Sequence, residues 1–142
     1  MTVKIAVIYY SATGTTYQLA RAVEQGASEA GAEVRFRRVR ELAPDEAIAS
    51  NQGWAAHRLE SQHVVEAAND DIRWADAIIF GTPTRYGLPA AQLKQFIDTT
   101  GKLWAQGALL NKICSSFTCS GLKIISVAIL RCIQSGKAST ES

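Results

Sequence analysis

The sequence predicts an α/β fold built on a doubly wound parallel sheet, because apolar strand-like runs alternate along the chain with amphipathic helices. Residues 3–10 are nearly all apolar and rich in Val, Ile and Tyr, which is typical of a strand buried on both faces. A helix with apolar residues at four-residue spacing follows and ends near Gly31. Residues 33–39 then alternate between apolar and charged side chains, which indicates a second strand. The intervening helix is long enough for a parallel crossover.

The rest of the chain continues this alternation as far as residue 118. The predicted elements are one or two helices plus loop over 41–73 with a break at 51–53 and a helix over 57–68, a strand over 77–80, a loop over 81–89, a helix around 93–97 that ends near Gly101, and a strand over 113–118. Helices on both faces of the sheet would make a three-layer architecture. In such folds ligands bind outside the carboxyl ends of the strands.

The composition is that of one globular domain. The chain has 142 residues, of which 47% are hydrophobic and 20% charged, which is enough apolar material for one core. A net charge of +2 predicts neither a nucleic-acid partner nor a membrane surface. The amino terminus lacks the pattern of a secretory signal, and the longest apolar stretch, at 122–133, is shorter than the roughly 18–20 residues of a membrane span. Because the count of three cysteines is odd and the amino terminus shows no secretory pattern, we expect a reducing, cytoplasmic location. The short apolar stretch predicts no integral membrane segment.

A short polar loop joins the first strand to the first helix. It consists of Ser11, Ala12, Thr13, Gly14, Thr15 and Thr16. Free N–H groups and the positive end of the helix dipole make this point an anion site, where a glycine lets the backbone approach the ligand. No Lys or Arg precedes Arg21 and no Gly-Lys-Ser/Thr is present, so the loop suits one phosphate monoester rather than nucleotide hydrolysis. The alternative is that Ser11 and Thr13 only cap the helix.

A second loop, with the sequence GTPTRYG at 81–87, follows the third predicted strand. Its backbone and Arg85 are suited to meeting a planar ring, with Tyr86 as a wall. The S-x-T-G-x-T pattern of the first loop resembles the FMN phosphate loop of flavodoxin-like proteins. The second loop, together with the sequence that follows it, closely resembles the WrbA-type NAD(P)H:quinone oxidoreductases. The further matching runs are Q-x-x-x-F at 92–96 and T-G-x-L-W-A-x-G-A-L at 100–109, and the whole resemblance covers residues 3–40 and 74–118.

The resemblance implies a flavodoxin-like FMN enzyme that takes hydride from NADH or NADPH and reduces quinones by two electrons, assembled as a homotetramer. Hydride moves directly between stacked rings, so no catalytic acid or base is expected. The implied cofactor-binding residues are Ser11, Ala12, Thr13, Gly14, Thr15 and Thr16 at the phosphate, Pro83, Thr84, Arg85, Tyr86 and Gly87 at the isoalloxazine, and Thr118, Ser120 and Gly121 in a third segment. Trp104 matches the family's aromatic residue at the mouth of the active site. Thr13 stands where many relatives carry an aromatic residue.

The chain departs from the family after the fourth predicted strand. The family continues with a glycine-rich flavin loop, a crossover helix, a fifth strand and a last helix, whereas residues 122–133 here are largely apolar and β-branched. A parallel fifth strand needs a crossover of about a dozen residues, and only a few separate Thr118 from this run. We therefore expect a single, incomplete domain over 1–142 that lacks the usual fifth strand and last helix.

The divergent tail at 122–142 is expected to form either a helix that covers one face of the sheet or an antiparallel strand. An incomplete pocket predicts weakened FMN binding and an unpaired edge on the fourth strand. The last residues, 135–142, have the composition of a disordered tail.

The remaining chemistry-bearing residues favour structural roles. His57 and His63 are six residues apart, which is poor spacing for a shared metal, and both are expected to be solvated or lightly packed. The other interpretations are inert thiols at Cys114 and Cys119, packing roles at Trp54 and Trp74, and a solvated basic face over 35–40, with nucleic-acid binding as the weaker alternative there. No metal site is expected.

Three functions remain open from the residues and the resemblance. The first is an FMN-dependent NAD(P)H dehydrogenase (quinone), whose activity is impaired if it needs the family's missing C-terminal elements. The second is a one-electron flavodoxin-like carrier, which the small net charge and the Arg85 loop disfavour. The third is a truncated, non-catalytic subunit that binds partners or assembles with intact copies.

Overall fold

The computed structural model describes residues 1–120 and, as backbone, the strand at 126–131. The strands are β1 (Lys4–Tyr9), β2 (Glu33–Arg38), β3 (Ala77–Arg85), β4 (Leu88–Pro89), β5 (Ile113–Cys119) and β6 (Ser126–Arg131). The helices are α1 (Thr15–Glu29), α2 (Asp45–Ala49), α3 (Gln52–Glu60), α4 (Asn69–Trp74), α5 (Ala91–Asp98) and α6 (Gly101–Ala105). None of the helices in these described residues is long and apolar enough to span a bilayer.

The strands form one sheet in the order β2-β1-β3-β5-β6, with the short β4 paired to β3. β1 pairs in parallel with β2 on one side and with β3 on the other, and β5 pairs in parallel with β3. The strand order therefore reverses between β1 and β3, which is where ligands bind in open α/β sheets. This topology confirms the doubly wound parallel sheet predicted from the sequence.

Side chains of β1 alternate between two apolar layers, because successive residues of a strand point to opposite faces. Ala6 and Ile8 pack on one face with helices α4 to α6, whereas Val7 and Tyr9 pack on the other with α1. The first layer contains Ile72, Leu93, Phe96 and Leu103, and the second contains Ala20, Val64 and Phe117. All four of these β1 residues are at most 1% exposed, so β1 is the centre of a three-layer core.

The predicted helix over 57–68 is wrong beyond residue 60. Helix α3 ends at Glu60, and the chain then returns to the edge of β2. The Arg38 N–H donates to the Val65 carbonyl over 3.1 Å, and the Ala67 N–H donates to the Arg38 carbonyl over 2.8 Å. These backbone bonds to a distant strand replace the helical bonds that the local periodicity predicted.

The predicted loop over 81–89 is also wrong in part, because β3 continues as far as Arg85. The chain then turns back and pairs as β4, with Arg85 opposite Leu88 and Thr84 opposite Pro89. The turn residues Tyr86 and Gly87 both have positive φ, at 53° and 78°. Such angles are typical of the tight turns that close β-hairpins.

The backbone at 126–131 pairs antiparallel with β5, from Ile113 opposite Arg131 to Thr118 opposite Ser126. Of the two alternatives for the tail, the structure has the antiparallel strand. The expectation of an unpaired edge on the fourth parallel strand, β5, is wrong, since β6 covers it. The rest of the divergent tail, including the predicted disordered segment at 135–142, lies outside the described residues.

Candidate functional site

The carboxyl ends of β1, β3 and β5 lie side by side, and hydrogen bonds join the three segments that follow or end them. The hydroxyl oxygens of Thr84 and Thr118 are 2.8 Å apart, which links β3 to β5. Thr16 Oγ1 lies 2.9 Å from Cys119 Sγ, which links the first helix to the end of β5. Thr16, Thr84 and Thr118, which the family resemblance assigned to three separate segments, are therefore held together at one edge of the sheet.

The first loop forms a cradle at the amino end of α1. Gly14 directly precedes the helix at φ 104°, a left-handed conformation that favours glycine. Its N–H donates to Ser11 Oγ over 3.1 Å, and no side chain in the described part of the chain caps the helix itself. The alternative that Ser11 and Thr13 only cap α1 is therefore not what the structure shows. The first N–H groups of α1 remain available to an anion.

The loop is anchored on one side and open on the other. Ala12, Gly14 and Thr16 are buried, whereas Thr13 and Thr15 are exposed. Thr16 is 1% exposed, so its contact with Cys119 lies beneath the loop. The exposed hydroxyls of Thr13 and Thr15 are the ones that a ligand can reach from solvent.

Helix α3 packs directly behind this loop. A Cβ atom added at Gly53 would lie 3.8 Å from Thr13 Cγ2, and one added at Gly14 would lie 3.3 Å from His57 Nδ1. Gly53 and His57 are four residues apart, so both belong to the same face of α3. The His57 ring also packs against Tyr17 of α1, with ring centroids 5.3 Å apart. One face of α3 thus forms the back wall of the cradle.

His57 is buried rather than solvated or lightly packed, which corrects the expectation from the sequence. Its residue exposure is 4%, and within residues 1–120 its Nδ1 has no hydrogen-bond partner. The Glu60 carboxylate is 3.9 Å from this nitrogen, which is too long for a hydrogen bond. Burial lowers the pKa of His57, and the charge of Glu60 opposes that shift only in part. His63, in contrast, is exposed, and its Nδ1 lies 2.9 Å from the Glu60 carbonyl oxygen.

The second loop projects from the sheet as a hairpin. Pro83 and Thr84 are half-buried, whereas Arg85 and Gly87 are exposed. Tyr86 at the tip is 105% exposed, so its ring has no protein surface to cover it. Beneath the hairpin, Thr82 Oγ1 accepts a hydrogen bond from the Ala90 N–H over 3.0 Å, which fixes the return of the chain into α5.

The third predicted segment is only partly described. Thr118 and Ser120 are half-buried at the end of β5, and Gly121 lies outside the described residues. Trp104 is 71% exposed on α6. In the part of the chain that the structure describes, the Trp104 side chain makes no hydrogen bond to either loop. Its indole is accordingly available to a ligand or a second protein surface.

Glu41 is the centre of a hydrogen-bond network that sequence reasoning missed. Its carboxylate accepts from Tyr10 Oη over 2.8 Å, from Trp54 Nε1 over 3.1 Å and from Gln92 Nε2 over 2.7 Å. The N–H of Ala43 also donates to it over 2.9 Å. Burial alone would raise the pKa of Glu41, but these hydrogen bonds outweigh burial and hold the pKa below its usual value.

This network joins the residue directly after β1 to α3 and α5 at the base of both loops. Tyr10 precedes the first loop, Trp54 lies on the helix behind it, and Gln92 belongs to the helix that follows the second loop. Burial and the bond to Glu41 together raise the pKa of Tyr10, so its hydroxyl keeps its proton and acts as a donor. Trp54, interpreted from the sequence as a packing residue, is also a donor to this network.

A parallel sheet in the order β2-β1-β3-β5, with helices on both faces and a strand-to-helix loop at its switch point, is the architecture of the flavodoxin-like class of proteins. A solved WrbA-like flavodoxin from Agrobacterium tumefaciens has the same fold, with a TM-score of 0.57 and 30% sequence identity. The match covers 84% of this chain and 60% of that one.

Within this class, residues 3–129 match the model of the NADPH-dependent FMN reductases, and the chain belongs to that family. A protein from Deinococcus radiodurans named NAD(P)H dehydrogenase (quinone) is 44% identical over 116 residues, which are 82% of this chain and 58% of the relative. A protein of the same name from Archaeoglobus fulgidus is 45% identical over 115 residues, 81% of this chain and 60% of the relative. The resemblance identified from the motifs is confirmed. The chain spans only about three-fifths of the length of these two relatives.

Proposed function

We propose that this chain binds FMN at the cradle of the first loop and uses NADH or NADPH to reduce a quinone. The observation that carries the proposal is the uncapped amino end of α1 behind Gly14, where φ is 104°. A neutral loop of hydroxyls and N–H groups fits the single terminal phosphate of a flavin mononucleotide. Family membership and the names of the two relatives support the same cofactor and substrates.

The roles of the residues follow from their positions. We assign the phosphate to Ser11, Ala12, Thr13, Gly14, Thr15 and Thr16, the ring to Pro83, Thr84, Arg85, Tyr86 and Gly87 with Thr118 and Ser120 beside it, and the substrate side to Trp104. Gly121 is assigned to the ring from the family resemblance alone. When bound, FMN supplies hydride acceptance and donation, while the protein supplies orientation and electrostatics. The Arg85 guanidinium stabilises negative charge on a reduced ring. Exposed Tyr86 offers an aromatic wall to a planar ligand.

A homo-oligomeric, cytoplasmic protein is part of the proposal. Three apolar side chains between α6 and the start of β5 are strongly exposed, namely Trp104 at 71%, Leu110 at 56% and Ile113 at 62%. Exposed apolar surface of this kind supports association with further copies, such as the tetramer that the family resemblance implies. The Cys119 thiol, which contacts Thr16, supports a reducing compartment such as the cytoplasm. Residues 1–142 are proposed to act as one domain.

Reconstitution of the purified chain with FMN tests the proposal. We expect a flavin absorption spectrum that stays with the protein through gel filtration, and oxidation of NADPH or NADH that depends on added benzoquinone. A protein that binds FMN but oxidises neither nucleotide in the presence of benzoquinone would be the non-catalytic subunit. A protein that stays colourless at saturating FMN would overturn the flavin site itself.

A further inference from the structure

The wall behind the cradle contains a buried histidine with no assigned role. His57 is 4% exposed, packs between Gly14 and Tyr17, and presents an Nδ1 without a hydrogen-bond partner among the described residues. A buried polar atom without a partner is costly, and in native structures it requires an explanation. A structural role alone would be met equally well by an apolar ring.

The cradle itself carries no charge. Residues 11–16 contain neither Lys nor Arg, and the first basic residue of α1 is Arg21, well inside the helix. His57 is a titratable side chain placed directly against the loop, with its Nδ1 3.3 Å from the position that a Gly14 Cβ would take. A phosphate bound in the loop would bring two negative charges close to this imidazole.

The surroundings of His57 allow its imidazole to gain or lose a proton. It lines a cavity of about 350 Å³, which gives the ring a route to water for proton exchange. The titratable and charged groups that face it are Glu60 and Arg58 on its own helix, Tyr17 on α1, and, around the cavity, Tyr9, Tyr10, Arg38, Arg40, Glu41 and Glu66. Arg38 is paired with Glu66, Arg58 is paired with Asp45, and Glu41 is held by its hydrogen-bond network, so these three groups have partners other than His57.

We propose that His57 is a positioning residue for the flavin phosphate and takes up a proton when the phosphate binds, so that this chain retains FMN more tightly as the pH falls. This inference rests on the proposed function of the first loop. In the free chain, burial keeps the imidazole neutral at neutral pH. An opposite charge nearby favours the protonated form, and any group that gains a proton on binding makes the affinity pH-dependent.

The test compares FMN affinity across pH in three proteins. Quenching of flavin fluorescence gives Kd between about pH 5.5 and about pH 8.5 for the unaltered chain, for His57→Asn and for the control His63→Asn. The phosphate takes a proton of its own near pH 6, so the pH profile of His57→Asn supplies the baseline. We expect the unaltered chain and His63→Asn to gain about three- to tenfold in affinity over that baseline toward low pH. With riboflavin, which lacks the phosphate, the gain should vanish.

A second measurement needs no variant and so does not depend on His57→Asn folding. The chain contains only two histidines, so NMR titration of the imidazole signals follows both. FMN should raise the pKa of His57 and leave that of His63 unchanged, and riboflavin should change neither. Equal shifts with both flavins, or no shift of His57 with bound FMN, would overturn the inference while leaving the proposed function intact. Absence of FMN binding at every pH would instead overturn both.

Discussion

The two loops of the candidate site differ in how firmly their own chain holds them. The first loop is built into the core: Ala12, Gly14 and Thr16 are buried, and α3 packs behind it. The second loop is a hairpin in which five consecutive residues, 85–89, are exposed. The proposed phosphate end of the site is thus preformed, whereas the proposed ring end is open to solvent.

This difference has a physical cause in where each loop finds its contacts. The first loop follows β1, the central strand of the core, and its backbone continues into a helix of 15 residues. The hairpin has two paired positions on each strand, and such short hairpins are marginally stable alone. Two further hydrogen bonds hold the hairpin in place. One joins the hydroxyls of Thr84 and Thr118, and in the other Thr82 Oγ1 accepts from the Ala90 N–H beneath the hairpin.

The largest expected effect comes from Gly81, at the point where β3 enters the site. A Cβ atom there would lie within 2.9 Å of three ring atoms of Phe117, which is 5% exposed and unable to move aside. We expect Gly81→Ala to destabilise the chain by about 3 kcal/mol and to abolish both halves of the site. Gly101→Ala is the control, since nothing lies within 4 Å of its Cβ position. Thermal unfolding measures both, and equal midpoints would contradict the packing at Gly81.

The second-largest effect is expected at Gly14, where a substitution tests the first loop separately from the core. Alanine at φ 104° costs about 1–2 kcal/mol of backbone strain, and its methyl group would press on His57. Gly14→Ala should lower the free energy of unfolding by that amount and weaken FMN retention at least about tenfold, since the cradle changes shape. Gly26→Ala, inside α1 with open space around it, should instead stabilise by about 0.5–1 kcal/mol. If the two variants behave alike in urea unfolding and FMN binding, the inference that the cradle is preformed is wrong.

Glu41 ties the two regions together, and its removal should affect both. In Glu41→Gln, an NH2 group that can only donate replaces a carboxylate oxygen that accepts hydrogen bonds from neighbouring donors. We expect this to lower the free energy of unfolding by about 1–3 kcal/mol. Because the folded state holds the pKa of Glu41 low, its contribution is present above the unfolded-state pKa and is lost as the pH falls through the folded-state value. Denaturant unfolding should therefore show a smaller difference between Glu41→Gln and the unaltered chain in acid than at neutral pH. Exposed Glu46→Gln is the control, and a pH-independent difference would count against the network.

The smallest effect on stability is expected at the tip of the hairpin. Tyr86 is fully exposed, so Tyr86→Ala should change the free energy of unfolding by less than about 0.5 kcal/mol. It should nevertheless weaken the binding of FMN and riboflavin by the same factor, because both ligands carry the same ring. A loss confined to FMN would mean that Tyr86 serves the phosphate end instead.

Local sequence signals were sufficient for β1, α1 and β2 and for the place of the first loop between β1 and α1. The apolar run of β1, the glycine before α1 and the alternation in β2 each act within a few residues, so periodicity and turn chemistry reveal them. The end of α3 at Glu60 was missed because residues 65–67 pair with Arg38 across a long stretch of sequence. The β3–β4 hairpin was missed because Gly and Pro indicate a loop, while the pairing partner lies on the other side of the turn.

The parts of the site that the sequence did not reveal are formed by residues that are far apart in the sequence. Glu41 meets Tyr10 and Gln92 across separations of 31 and 51 residues, and no local pattern marks such a network. His57 has the amphipathic setting of an ordinary surface histidine, and only the packing of α3 on Gly14 reveals its burial.

The most direct test of the central claim compares two ligands on the unaltered chain. FMN and riboflavin share the ring and differ by the phosphate, so the ratio of their dissociation constants isolates the first loop. Charge-assisted hydrogen bonds from the cradle predict FMN binding at least about tenfold tighter than riboflavin binding at neutral pH and low salt. Equal affinities for the two flavins would contradict the assignment of residues 11–16 as the phosphate site.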